Sequence, residues 1–113
     1  MKRFLRNEEK DLLVAMIKMK PQAKSLLLSL GRIMVEEMAD DGMRSLKLCP
    51  IGKDECRRLG SLLIEKEFFD IDGIPIMVAI NLDEEGELFE LDIWKVDFSQ
   101  VKRFPAVVIS GDV

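Results

Sequence analysis

The sequence predicts an α+β domain, with two N-terminal helices packed on one face of a five-stranded antiparallel meander sheet. Three observations predict it. Apolar residues recur at helical spacing up to Leu30; beyond Arg32 they alternate with polar ones; and hairpin signals fall at Asp41-Gly42, Ile71-Asp72-Gly73 and Asp83-Glu84-Glu85-Gly86. The 113 residues form a single domain, 1–113, in which 104–113 is either a frayed tail or an added edge strand.

In chain order, Met1 to Arg6 is a basic lead whose Phe4 and Leu5 dock on the fold. Asn7 is the expected N-cap of a first helix over 8–19, with Glu8, Glu9 and Asp11 in its first turn, where carboxylates suit the helix dipole. Leu12, Leu13, Met16 and Ile17 line its apolar stripe, and Pro21 ends it. A second helix over 22–30 opens at Pro21, carries Ala23, Leu26, Leu27 and Leu30, and stops at Gly31.

Strands follow at about 32–39, 43–49, 60–69, 74–82 and 87–97. The turn at Asp41-Gly42 sets Val35 against Leu48 and Glu37 against Leu46, with Arg44 as a partner for Glu37. Pro50 to Arg58 is a polar connection. The loop Ile71-Asp72-Gly73, with Gly73 at positive φ, pairs Phe68 with Ile76, Ile64 with Ile80 and Leu62 with Leu82. Lys66 then falls on the core face, either with its ammonium in water at the sheet margin or turned out by a bulge. The next loop pairs Leu82 with Glu87, Ile80 with Phe89, Val78 with Leu91 and Ile76 with Ile93. That register gathers large apolar side chains on one face, whereas a one-residue slip buries Glu90 and Asp92.

The same pairing names the opposite face. It sets Asn81 beside Leu88, Ala79 beside Glu90, Met77 beside Asp92 and Pro75 beside Trp94, with Glu65, Glu67 and Phe69 on the neighbouring strand. From Glu65 to Asp97 there are eleven acidic residues and two basic ones, Lys66 and Lys95. A face with the only Trp, two further large apolar side chains and four carboxylates suits a basic protein partner. The candidate partner-binding residues are therefore Trp94, Met77, Phe69, Glu65, Glu67, Glu90 and Asp92, and the alternative to a foreign partner is a homodimer through this face.

Composition narrows the chemistry. The chain holds no His and no Tyr, which removes His-based acid/base and nucleophilic catalysis. Any enzyme here runs on carboxylates, Lys, Cys or Ser, with Glu90, Asp92 or Asp97 as the candidate carboxylates, and the expectation is a non-enzymatic protein with no cofactor. Cys49 and Cys56 lack further ligands for zinc and read as reduced thiols. Asp70-Ile71-Asp72-Gly73 opens like a calcium loop but lacks the later ligands. A net charge of −4 argues against nucleic acid, the apolar runs are too short to span a membrane, and the N-terminus carries no leader, so a cytoplasmic protein is expected.

The segments Asp40-Asp-Gly-Met-Arg-Ser-Leu46, Phe69-Asp-Ile-Asp-Gly-Ile-Pro75 and Asn81 to Ser99 resemble a family of small bacterial proteins of unknown function. The stretch Glu90 to Phe98 is the most specific part of the likeness. The resemblance brings no catalytic residues. It implies at most an immunity-like role, as an inhibitor of a basic toxin.

Overall fold

Alternation with turn chemistry builds hairpins, and the sheet of this protein grows from two of them. In the computed structural model, residues 2–39, 42–52 and 56–107 are described. Six strands form one sheet: β1 (Lys2–Arg3), β2 (Ile33–Glu37), β3 (Leu46–Pro50), β4 (Leu59–Phe69), β5 (Pro75–Asp83) and β6 (Leu88–Lys95). Helices α1 (Asn7–Ile17) and α2 (Ala23–Ser29) precede β2, and a short 3-10 turn, Leu30–Arg32, leads into it. The fold class is α+β, as expected, with an antiparallel sheet.

The sheet departs from the expected five-stranded meander in two ways. The basic lead is itself a strand, with Lys2 opposite Glu36 and Arg3 opposite Val35. The strand order is β1-β2-β3-β6-β5-β4, so β6 leaves the edge and lies between β5 and β3, with Leu46 opposite Leu91. Inserting the most apolar hairpin in the middle buries both its strands, while the charged β4 takes the edge.

The β2–β3 register is the expected one, with Val35 opposite Leu48 and Glu37 opposite Leu46. Asp40 and Asp41 of its turn lie outside the described residues. Glu37 meets Arg3 at 3.1 Å and Arg6 at 3.8 Å. Arg3 also grips Glu9 through two hydrogen bonds of 2.8 and 2.7 Å. Glu9 reaches back to the Arg6 amide at 2.9 Å, so Arg6, not Asn7, is the N-cap. Pro21 stays in the turn before Gln22, the second cap. Leu5 packs on the core as expected, but Phe4 is exposed.

The β4–β5 hairpin has the predicted loop: the Asp70 amide donates to the Ile74 carbonyl at 3.0 Å and Gly73 sits at φ +82°. Phe68 faces Ile76 and Ile64 faces Ile80, but an irregularity between Leu62 and Ile64 ends the regular register. Leu63 is buried in place of Leu62, which is exposed and lies opposite Asn81 rather than Leu82. A bulge accommodates the extra residue, because keeping the register would turn Leu63 out. Lys66 is exposed at the sheet margin, its Nζ 3.9 Å from Met19 Sδ.

The β5–β6 hairpin is shifted two residues from the expected register. Val78 faces Ile93, Ile80 faces Leu91 and Ile76 faces Lys95. Its loop is tighter, since the Asp83 amide donates to the Glu87 carbonyl at 2.8 Å and Gly86 closes the turn at φ +82°. A second bulge then pairs Leu82 with Leu88 and displaces Phe89. Leu88 is therefore fully buried, and Phe89, expected inside, is half-buried with the Arg57 guanidinium 5.4 Å over its ring. A two-residue shift leaves every other residue on its face, so Val78, Ile80, Leu91 and Ile93 are buried as expected.

One buried cluster joins Leu12, Leu13, Met16 and Ile17 of α1 and Leu26 of α2 to the strand residues Val35, Leu48, Val78, Ile80 and Leu91. Val101 and Phe104 close its margin. Of the expected tail strand, Ala106 and Val107 carry no strand and Val108 and Ile109 lie outside the described residues.

Candidate functional site

The face of the sheet opposite the core is built by period two. On β6 it takes Glu90, Asp92 and Trp94; on β5, Asn81, Ala79 and Met77; on β4, Glu65, Glu67 and Phe69. Three rows result. Trp94 lies beside Met77 and Met77 beside Glu67; Asp92 beside Ala79 and Ala79 beside Glu65; Glu90 beside Asn81 and Asn81 beside Leu62. All seven expected residues thus share this face; the β4–β5 neighbours of Glu65, Glu67 and Phe69 are the expected ones, the β5–β6 neighbours are shifted, and Leu88 has left the face for the core.

The face has two ends of different chemistry. At one end charges alternate across the strands, since Lys2 faces Glu36, Glu36 faces Lys47 and Lys47 faces Glu90. Glu90 Oε1 also accepts from Asn81 Nδ2 at 2.9 Å. At the other end the side chains are apolar. Phe69, opposite Pro75, is 65% exposed, and Trp94 is half-buried, reaching the margin of the core. Val96 continues this end: its amide donates to the Pro75 carbonyl at 3.1 Å and its side chain is exposed. Asp92 is held near Ser45, whose Oγ lies 3.4 Å from Oδ1.

An ion cluster anchors the apolar end from beneath. Lys95, two residues beyond Ile93, continues the core face and is fully buried. Its ammonium donates to Asp70 Oδ2 at 2.9 Å and Asp72 Oδ2 at 2.5 Å. Asp70 also accepts the backbone amides of Ile71, Lys102 and Arg103 at 2.7, 2.7 and 3.1 Å. Burial alone would raise the Asp70 pKa; the Lys102 amide, the Lys95 ammonium and the Ile71 amide outweigh it and hold the carboxyl at about 2. Burial likewise opposes the Lys95 charge, and the bonds to Asp72 and Asp70 overcome it, so the Lys95 pKa is raised. The β4–β5 turn, the end of β6 and the loop after it are locked together by one cation. The turn chemistry that explained Asp72-Gly73 from sequence left this second role of Asp70 and Asp72 unseen.

A second buried carboxylate holds the other end of the hairpin. Asp83 Oδ1 accepts the Glu85 and Glu87 amides at 2.8 and 2.9 Å, and Oδ2 accepts Arg57 Nε at 2.8 Å. Arg57 further donates to the carbonyls of Leu48 and Leu88, stitching β3 to β6. Burial pushes the Asp83 pKa up, but the Glu87 amide, Arg57 and the Glu85 amide bring it below its ordinary value.

Of the carboxylates considered for catalysis, Glu90 and Asp92 are successive outward residues of β6, whereas Asp97 lies in the loop after the strand. Asp97 accepts the Ser99 hydroxyl at 2.6 Å and the Ser99 amide at 2.9 Å, which lower its pKa. Among the described residues no group of three or more His, Cys, Asp or Glu could hold a metal ion. No helix among them is long and apolar enough to cross a membrane.

A family model described as a domain of unknown function (DUF6984) matches residues 2–105. The chain belongs to that family. The DUF6984 match takes in both helices and all six strands, and with them the whole outer face. No curated protein and no solved structure matches the chain.

Proposed function

We propose that the chain is a non-enzymatic protein-binding module that takes a basic protein partner on the outer face of its sheet. In its specific form it acts in the cytoplasm as an immunity-like inhibitor of a basic toxin. One observation carries the reading: the strand register sets Trp94 beside Met77, with Phe69 at the next outward position of β4 after Glu67, on the face away from the core, with Glu65, Glu67 and Asp92 around them. An exposed Phe69 next to the half-buried Met77 and Trp94 favours a partner that covers them, and Trp is a frequent energetic anchor of such contacts. Carboxylates around that patch speed the encounter with a basic surface and discriminate against acidic ones.

The test is capture from the native host with the tagged protein and a Trp94→Ala/Glu90→Lys variant, both shown folded by circular dichroism. A basic protein held by the wild type and lost by the variant supports the proposal. A variant that captures as well as the wild type sinks it. Light scattering separates the homodimer: dimerisation at high concentration, abolished by Trp94→Ala, assigns the face to a second copy instead.

A further inference from the structure

Strand β4 is an edge of the sheet, paired on one side with β5 and, among the described residues, with no strand on the other. Its ladder is regular from Ile64 to Phe69. In an antiparallel pair, directly opposed residues alternate between exchanging both backbone hydrogen bonds and exchanging none. The Asp70 amide bonds the Ile74 carbonyl, so Phe68, Lys66 and Ile64 are the residues that bond β5. Phe69, Glu67 and Glu65 then direct their amides and carbonyls away from the sheet. Pro75 opposite Phe69, with no N–H to give, agrees with this alternation.

These three residues are the same ones whose side chains lie on the outer face. A strand added antiparallel to β4 would exchange hydrogen bonds with Glu65, Glu67 and Phe69, and its directly opposed side chains would stand beside the two carboxylates and the ring. A second copy of the chain fits poorly. Antiparallel pairing about Lys66 sets that lysine opposite its own equivalent and Glu65 opposite the equivalent of Glu67. Moving the centre to Phe68 runs out of strand, and moving it to Ile64 meets the bulge. The charges that repel a copy attract a basic strand.

We propose that the partner enters as a seventh strand, antiparallel along β4, with Lys or Arg at the alternate positions opposite Glu65 and Glu67 and an apolar residue opposite Phe69. This rests on the reading of the outer face as a binding surface and adds how the partner docks. Main-chain hydrogen bonds supply affinity and the alternate side chains supply selectivity.

The probe is a synthetic extended peptide with lysine at the two alternate positions to stand opposite Glu65 and Glu67 and valine at the next alternate position and in between, and a second copy of it N-methylated at the lysine amides, added to the full chain while amide hydrogen exchange is followed by NMR. The first peptide should slow exchange at Glu65, Glu67 and Phe69 at least about tenfold and leave Ile64, Lys66 and Phe68 unchanged. The methylated peptide, of equal charge, should not, and Glu65→Lys/Glu67→Lys should weaken binding about tenfold, the loss of two favourable cross-strand pairs. Equal binding of both peptides would mean charge attraction without a ladder and overturns the inference. Peptide-induced shifts at Trp94 and Met77 with unprotected β4 amides overturn it too, yet leave the binding face standing. Amides of Glu65, Glu67 and Phe69 already protected in the free protein also overturn it, and protection that grows with protein concentration assigns the edge to a second copy.

Discussion

The buried and the exposed carboxylates around the central hairpins have opposite fates. Asp70 and Asp83 are 5% and 4% exposed, and each is surrounded by amides and one cation. Glu65 and Glu67, on the outer side of β4, stand in water. A buried carboxylate has lost its hydration and survives only where hydrogen bonds and a countercharge replace it; an exposed one keeps its water and needs neither. An acidic stretch in a sequence is therefore two populations. Of the eleven acids from Glu65 to Asp97, Asp70, Asp72 and Asp83 are part of the fold's framework, and the other eight lie outside these ion pairs.

That division can be broken or sharpened by experiment. The largest effect is expected from Lys95→Met. Removing the cation leaves Asp70 buried among amides alone, and the midpoint of thermal unfolding should fall by roughly 10–20 °C. An unchanged midpoint would erase the distinction between the buried and the exposed carboxylates. Leu88→Ala comes next, at roughly 2–5 kcal/mol by denaturant unfolding, against about 0.5 kcal/mol or less for Leu62→Ala, because the two bulges put Leu88 inside and Leu62 outside. Equal losses would mean that neither bulge forms.

Acid should act through the ion-paired set, Asp70, Asp72 and Asp83. The Asp70 carboxyl is held at about 2 against an ordinary value of 3.8. A folded pKa below the unfolded one means stability that is present above 3.8 and lost as pH falls toward 2, with Asp72 and Asp83 shifted the same way. Lys95 is raised above 10.5, so its contribution is present below that value and is lost as pH rises through the folded pKa. Denaturant unfolding between pH 7 and 2 should show the acid decline, flattened in Asp70→Asn. The smallest effect is expected from Glu65→Gln/Glu67→Gln: stability within about 0.5 kcal/mol of wild type at any of these pH values. A larger change would mean that the outer carboxylates are structural after all.

Much of this was legible along the chain. Helical spacing of Leu12, Leu13, Met16 and Ile17 located α1, and Gly73 and Gly86 marked two turns that both need positive φ. Alternation sorted Val78, Ile80, Leu91 and Ile93 inward and Trp94, Met77 and Glu65 outward. It also held an unused signal: the same alternation that buries Leu91 and Ile93 carries Lys95 to the core face, and the Asp70–Ile74 pair carries Asp70 there too. Read together, they point to an internal ion pair. Lys47 beside Glu90 was not legible, because it depends on β3 lying next to β6.

The sequence by itself determined the helices, the hairpins and the side of the sheet on which most strand residues lie, because spacing and turn chemistry act over a few neighbouring residues. Packing of the whole chain decided the strand order, the sixth strand and the β5–β6 register. A shift of two residues leaves every side chain on its face, so periodicity cannot choose between registers, and packing against the rest of the core must. The same packing inserted the bulges at Leu63 and Phe89, where burying one more leucine outweighed keeping the ladder regular.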